Sequence, residues 1–381
     1  MSTSDYGSSQ SPAGSRRDVR DRVTDLSSLP DHATVGIVCD VYEARLVYQL
    51  RYRVYVHEQG KHPSGVDRER GELIDSLDPW SHLWYARDRE AIVGTIAQTI
   101  IGPEFDLSRL PSALELDAFP RSVRCPLGFS SRFAIAPDHR STWVLPSLAR
   151  HAYVHGRQLG AKFDFMATNP GLVRLFERLG YIRYTASAIH TRDAGLLIPM
   201  VLPATDHEHL RNTRSACLSA AAGFDPEPEW GMWLRATHPI IGVYYSADVR
   251  CEQSGEILGR RLGLPANIAS ELSALSFVHR FPAGSWLRRD RDRVTCTFVS
   301  MDGRLNAAQI DDSGAAASSR APDGIAFSRV AIWCETDALV LCVPDTAVAR
   351  LQRRYPEHSD RLQGLLKPRS SSDGVPERIV R

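Results

Sequence analysis

The chain lacks the features that would place it in several protein classes at once. No stretch approaches the roughly 18 consecutive apolar residues of a membrane-crossing helix, so no membrane span is expected. Charge of either sign is not in excess: 46 basic against 45 acidic residues leave a formal net charge of +1. A balance of that kind gives no footprint for nucleic acid. The seven cysteines are odd in number and scattered, with no Cys-x-x-Cys. That argues against a disulfide framework and a zinc site, and the expected compartment is a reducing cytoplasm. Asp206, His207, Glu208 and His209 are consecutive, and adjacent side chains cannot all turn to one ion, so no metal is expected.

What is present is the pattern of an ordinary globular protein, long enough for two folded units. Hydrophobic residues make up 43% and charged residues 24%. The first half alternates strand and helix signals. Strands are expected at 34–39, 82–87, 91–101, 130–136, 163–168 and 195–202, with Asp88-Arg89-Glu90 as a hairpin turn. Helices are expected at 41–57, 144–159 and from Leu172 to Leu179. Asn169-Pro170 supplies an N-cap followed by proline in the first turn, and Gly180 supplies the stop. Residues 58–80 are polar, contain glycine and proline, and read as a long loop. The order of elements predicts an α/β (α+β), three-layer fold with a mixed central sheet. The second half begins with a helix at 265–278, continues through short strands and closes with a helix at 345–366. Residues 311–324 read as a low-complexity loop. A small β-barrel with flanking helices is expected there.

The stretch FDFMATNPGLVRLFERLGY at 163–181 runs a buried strand straight into an Asn-Pro-capped helix. It resembles the terminal strand-helix unit of the GNAT acyltransferases. The preceding unit, from Ser130 to Gly160, resembles the central strand-helix arm of that fold. Upstream, LRYRVYVHEQG at 50–60, GELIDSLD at 71–78 and FSSRFAI at 129–135 follow in order. Arg, Asp-x-x-Asp and Ser-Ser-Arg in that sequence resemble acyl-homoserine-lactone synthases and long-chain N-acyl amino acid synthases.

The resemblance implies an acyl-CoA N-acyltransferase fold and transfer of an acyl group, fatty in these families, from a thioester to an amine. Acyl carrier protein or acyl-CoA would be the donor. Carried over by match, Arg51, Asp75, Asp78 and Arg132 become the polar cluster of the acceptor side. Glu58 and Asp75 are rival general bases. A backbone N–H between Phe133 and Ala136, by way of Ala134 and Ile135, is the expected oxyanion donor. Arg51, Tyr55 and Glu58 are spaced to share one helical face. The glycine-rich pyrophosphate loop of the superfamily is missing; His139-Arg140-Ser141-Thr142 stands in its place, so Arg140, Ser141, Thr142 and the capping Asn169 are the candidate carrier-binding residues.

Two positions depart from the lactone-synthase pattern. Ala97 replaces the hairpin arginine, and Phe129 replaces an acidic residue before Arg132. An amino acid or similar amine is therefore the preferred acceptor. The alternatives are an autoinducer synthase and a non-catalytic regulator built on the same fold. Trp80, Trp84 and Trp143 read as core or acyl-tunnel lining, and His57, His62, His151 and His155 as surface residues.

In the second half, residues 281–305 and 329–366 resemble the opening and closing strands of a cyclic-nucleotide-binding barrel. Only Arg329 matches that family's phosphate cassette; its Gly-Glu pair is absent, so a cyclic nucleotide is not expected. The resulting division is a disordered arm at 1–32, an N-acyltransferase domain at 33–205, a helical linker at 206–262, the barrel at 263–368 and a disordered tail at 369–381.

Overall fold

The computed structural model describes residues 29–120, 126–191, 194–246, 252–289, 296–310, 316–320, 325–326 and 331–365. The expectations for most of the arm, for the tail and for Arg329 fall outside these residues.

Nine strands belong to the first half: β1 (Ala33–Ile37), β2 (Val66–Asp67), β3 (Glu72–Leu73), β4 (Ser81–Asp88), β5 (Ala91–Ile101), β6 (Leu127–Ile135), β7 (Phe163–Thr168), β8 (Ile189–Thr191) and β9 (Gly195–Pro203). Seven form one mixed sheet in the order β1-β4-β5-β6-β7-β9-β8, while β2 and β3 make a separate small hairpin. All neighbours in the large sheet are antiparallel except β6 and β7. Helix α1 (Val41–Tyr52) covers one face, where Val47, Leu50 and Val54 pack with Ile92 and Ala134. Helix α2 (Val144–Gln158) covers the other, where Val144, Leu148 and Ala152 meet Trp84, Val93 and Ile135. The three-layer expectation is met: β5 serves a core on each face.

Two irregularities shape the middle of this sheet. The parallel pairing of β6 with β7 covers only Gly128 with Asp164 and Phe129 with Phe165. Beyond that, β6 follows β5 and β7 follows β9, so the two strands part and the sheet opens between them. In the same place β6 bulges. Its register against β5 steps from Ser131 opposite Ala97 to Ala134 opposite Thr95. Arg132 and Phe133 thus stand against the single residue Ile96, the two-against-one count of a bulge. Arg132 takes a φ of +51°, a left-handed conformation unusual for a side chain of that size.

The expected helix at 41–57 is α-helical only to Tyr52; Arg53–Glu58 form a π-helical turn. Helix α3 (Val173–Leu179) follows β7 through a 3-10 turn at Pro170–Leu172, where the Asn169 side chain accepts the Gly171 N–H at 3.0 Å. Gly180 ends α3 at φ +102°. Between β5 and β6, three 3-10 turns bring Leu110, Leu114, Leu116 and Phe119 into an apolar core with Phe163 and Phe165.

Short helices follow: α4 (His207–Asn212), α5 (Leu218–Ala221), α6 (Pro228–Thr237), α7 (Ile240–Tyr245) and α8 (Glu252–Leu262). The first four pack on the sheet, Leu210, Cys217 and Ala221 entering one core and Leu234 and Ile241 another, while Leu258 of α8 joins the core of the second half. Helix α9 (Ala266–Leu275) is shorter than expected, because Phe277 already begins strand β10 (Phe277–Phe281). The remaining strands are β11 (Trp286–Arg288), β12 (Cys296–Asp302), β13 (Leu305–Ile310), β14 (Ala316–Arg320), β15 (Ile325–Ala326), β16 (Ala331–Cys334) and β17 (Ala338–Pro344). They make two antiparallel four-stranded sheets, β10-β17-β12-β15 and β11-β16-β13-β14, around shared residues such as Phe298, Leu287, Ile332 and Val340.

The loop expected at 311–324 is corrected at Ala316–Arg320, which pairs along β13 as β14; small residues there fit a ladder as well as a loop, and composition alone could not separate them. The single closing helix is also corrected. It divides into α10 (Asp345–Arg354) and α11 (Ser359–Gln363), because Pro356 cannot continue the first.

Candidate active site

The polar residues singled out in the sequence collect on one side of the β6 bulge. Arg51, at the end of α1, is fully buried and donates from Nη1 to both carboxylate oxygens of Asp78, at 2.9 and 2.8 Å. Its Nε and Nη2 are buried without a hydrogen-bond partner among the described residues. Asp78 also accepts the Asp75 N–H at 2.7 Å, and Asp75 accepts the Leu77 N–H at 2.8 Å, so the two carboxylates fix their own loop. Asp75 in turn pairs with Arg132 Nε. Tyr55 lies among them, its hydroxyl donating to the Phe133 carbonyl at 2.7 Å. Burial raises the Tyr55 phenol pKa, against the lowering influence of Arg132 and Arg51. Burial also works against the Arg132 charge, but Asp75, Tyr55 and Asp78 more than restore it, and its pKa lies above the ordinary arginine value.

Glu58 does not join this group, and here the expectation of one shared helical face is corrected. The π turn opens the spacing after Arg53. Glu58 instead meets Arg140, which donates to both of its oxygens at 2.6 Å. A candidate base and a candidate phosphate ligand thus neutralise each other across 82 residues of sequence, on a surface where both are about two-fifths exposed. Arg140 also reaches the Ile135 carbonyl at 3.3 Å. Ser141 holds a φ of +60°, and the Thr142 hydroxyl donates to the His139 carbonyl at 2.6 Å. Helix α2 starts without a side-chain cap. Pro146 removes one of its first-turn N–H groups, and the Val144 N–H lies 3.5 Å from Thr142 Oγ1. Of the expected oxyanion stretch, the Ala136 N–H is committed to the Val93 carbonyl at 2.8 Å.

The opposite side of the bulge is apolar. A narrow cleft with a cavity volume of about 30 Å³ lies between β6, β7, α2 and α3. Phe133, Leu145, Ala149, Phe176, Leu179 and Leu202 give it an apolar wall. Consecutive residues of one strand therefore serve both sides: Arg132 turns to Asp75, and Phe133 turns to the cavity.

Sequence reasoning missed the polar group inside this cavity. Asp164 on β7 is half-buried there and accepts a hydrogen bond from the Tyr181 hydroxyl. Burial pushes its carboxyl up to about 6, against the hydrogen bonds of Tyr181 and Ser130. The signal was a lone acid in an otherwise apolar strand. Burial also pushes the nearby Cys217 thiol up to about 12, which leaves it protonated and unreactive near neutral pH.

The aromatic expectations divide. Trp84 is core and donates to Gln98 at 3.1 Å, Trp143 packs partly buried against the same core, and Trp80 is half exposed beside Phe105 and Arg109. None of them lines the cavity. Of the four histidines read as surface residues, His57 and His62 are exposed. His155 is not: it is half-buried, bonded to Gln98 at 2.9 Å, and burial followed by His82 lowers its pKa. Among the described residues no cluster of three or more potential metal ligands occurs, and no helix is long and apolar enough to cross a membrane.

Comparison with known proteins adds a family match. Residues 46–206 match the family model described as N-acyl amino acid synthase FeeM. No curated protein matches the chain. Similar solved structures include FeeM, an N-acyl amino acid synthase from uncultured soil microbes, at 18% identity and a TM-score of 0.39, covering 51% of this chain and 98% of that one. TofI, solved in a ternary complex with an inhibitor and MTA, is also 18% identical with a TM-score of 0.37, covering 52% and 99%. BjaI, a CoA-dependent acyl-homoserine lactone synthase solved with MTA, is 13% identical with a TM-score of 0.38, covering 50% and 100%.

Proposed function

We propose that this chain, an N-acyltransferase whose residues 46–206 match the N-acyl amino acid synthase family, moves a fatty acyl group from acyl carrier protein or acyl-CoA to the amine of an amino acid or related small molecule. One observation carries the reading: a single bulged strand separates a buried polar cluster from an apolar cavity, at the point where the sheet opens. A thioester laid across the opening would direct its alkyl chain to the Phe133 side and its carbonyl carbon to the Arg132 side.

The neutral amine attacks that carbon. A C–N bond forms, the C–S bond breaks, one amine proton passes to a base and the thiolate takes up a proton. Backbone N–H groups at Phe133, Ala134 or Ile135 would face the developing oxyanion, and fixed donors of this kind are effective because they need no rearrangement. Asp75 is the better base than Glu58, which is neutralised by Arg140. Arg132 orients Asp75 and adds positive charge beside the reaction. Arg51 and Asp78, fully buried, keep the loop in place. Arg140, Ser141 and Thr142, which follow β6, and Asn169, which follows β7, would be the contacts for a phosphopantetheine arm; Arg140 would exchange Glu58 for phosphate.

Formation of a lactone is disfavoured by the same geometry. Ala97 is buried in the sheet, and Phe129 packs with Phe163 and Phe165, so neither position offers a polar group to a larger acceptor.

The test is mass spectrometry of lipid extracts from a bacterial host with and without expression of the chain. N-acylated amino acids should appear on expression, and Arg132→Ala should lower their yield by about 100-fold, the scale of misplacing a reacting group. Acyl lactones in place of acyl amino acids, or an undiminished yield from Arg132→Ala, would refute the assignment.

A further inference from the structure

The charges around Tyr55 do not balance. Three cations approach this ring or its hydroxyl: Arg132 lies 6.0 Å from the ring centroid, Lys61 lies 5.5 Å from it, and Arg51 acts on the phenol electrostatically. Two carboxylates answer them. Asp78 is taken by Arg51 and Asp75 by Arg132. Lys61 has no carboxylate partner among the described residues. The nearby Glu58 is held by Arg140, and Glu72 by Arg45 at 3.0 Å.

Lys61 is nevertheless held in position. It follows Gly60, whose φ of +58° turns the chain out of the π turn, and its own N–H donates to the Tyr55 carbonyl at 2.9 Å. Burial, and then Arg132, push its ammonium below the usual lysine range, which is the mark of a cation without its counter-ion. A second observation points the same way. Arg51 keeps two buried nitrogens without a partner among the described residues. Half-buried charge is expensive unless paired, so the cluster is one anion short.

The ring of Tyr55 also fixes where that anion would sit. Its hydroxyl touches the Phe133 carbonyl at the bulge, while Lys61 and Arg132 lie near its face. An anion held there would lie beside the ring whose hydroxyl is bonded to the bulge. In an α-amino acid the amine and the carboxylate are carried by one carbon, so an amine placed for attack at the bulge brings its acid group toward Lys61.

We propose that Lys61, seconded by Arg132, binds the carboxylate of the acceptor and makes the enzyme select amines that carry an acid group close by. The inference rests on the acyl-transfer reading above and deepens it. Neutral or cationic amines such as decarboxylated amino acids are poor acceptors, because they leave Lys61 unpaired and bring no counter-charge.

The experiment uses the full chain expressed in a bacterial host, which offers acyl carrier protein and coenzyme A thioesters together. Deuterium-labelled tyrosine and tyramine, and phenylalanine and phenethylamine, are supplied in equal amounts, and the N-acylated products are counted by mass spectrometry. The wild-type chain should favour the acid-bearing member of each pair by about tenfold or more. Lys61→Met should erase most of that preference by losing acylated amino acid while acylated amine is unchanged. Lys61→Arg should retain it, and Lys61→Glu should reverse it. Soluble yield and thermal melting of each variant establish that the fold survives, and Lys61→Gln replaces Lys61→Met if the latter does not fold. An unaltered preference in Lys61→Met or Lys61→Gln would overturn the Lys61 assignment and leave acyl transfer standing. Acylated amines of neither kind from the wild-type chain would instead remove acyl transfer itself, and Lys61's role with it.

Discussion

Single residues in this site are arranged so that charge is stored where the environment opposes it. Asp164 is the clearest case. Burial raises its carboxyl from the usual 3.8 to about 6, so the folded state holds the proton more tightly than the unfolded chain does. The sign follows: stability from this group is present below about pH 4 and is lost as pH rises through about 6, a difference on the order of 3 kcal/mol. Asp164→Asn should therefore raise the melting temperature at pH 7.5 and have little effect at pH 4. Melting curves of the two chains across that range decide it; equal shifts at both ends would contradict the buried-acid explanation. Arg132 stores strain as well as charge, since its φ of +51° is accepted only because the bulge and Asp75 hold it. Its counterpart Arg51 is the costlier residue to disturb. Asp78→Ala would leave Arg51 fully buried and unpaired, and a loss of roughly 3–5 kcal/mol is expected from chemical denaturation.

Elements rather than residues decide how the two sides of the site meet. The π turn at Arg53–Glu58 and the β6 bulge face each other through the Tyr55–Phe133 hydrogen bond, so the irregularity of each supports the other. Helix α2 is drawn close to the sheet at Gly94. A Cβ there would lie 2.3 Å from Val144 Cγ1 and 3.1 Å from Leu148 Cδ1. Gly94→Ala should push the start of α2 outward and cost about 1–3 kcal/mol, the usual penalty for overpacking. The same helix forms one wall of the cavity. Ala149 faces that space, and Ala149→Phe should shift the acylated products toward shorter chains without loss of the amino acid preference. Chain-length profiles by mass spectrometry measure this directly, and an unchanged profile would show that the acyl chain lies elsewhere.

At the scale of the whole molecule, the two halves share a core. Phe176 and Leu179 of α3 fall in one apolar cluster with Phe277, Phe281 and Leu287 of the second half. Helix α3 and Arg183, which follows it, also supply the polar clamp. Arg174 Nε donates to the Ser276 carbonyl at 2.7 Å, and Arg183, fully buried, donates to the Val278 carbonyl and pairs with Glu177 at 3.0 Å. Burial alone would raise Glu177, but Arg183, Arg174 and the Tyr245 hydroxyl bring it down to about 2. Stability from Glu177 is thus present above about pH 4.5 and is lost as pH falls toward 2, opposite in sign to Asp164. Glu177→Gln should destabilise the junction by a few kcal/mol at neutral pH, by leaving Arg183 without its counter-charge. Because Phe176 and Leu179 line the apolar cavity proposed for the acyl chain and Glu177 lies between them in sequence, the same variant should also broaden the range of chain lengths accepted.

Local chemistry wrote much of the first half into the sequence. Short apolar runs located β4, β5, β7 and β9, the Asn169 cap marked the turn that leads into α3, Gly180 ended that helix, and its own apolar stripe placed α2, because each of these depends on residues within a turn or two of one another. The polar residues of the site were also legible as types: Arg51 with Asp78, and Arg132 with Asp75, do come together. Their partners were not. Glu58 with Arg140, Lys61 left without a carboxylate among the described residues, the bulge at Arg132 and the desolvated acid at Asp164 all depend on how elements distant in sequence come together. A side chain's charge is fixed by its chemistry, but whether that charge is answered, desolvated or left one partner short is fixed only when the strands and helices close around it.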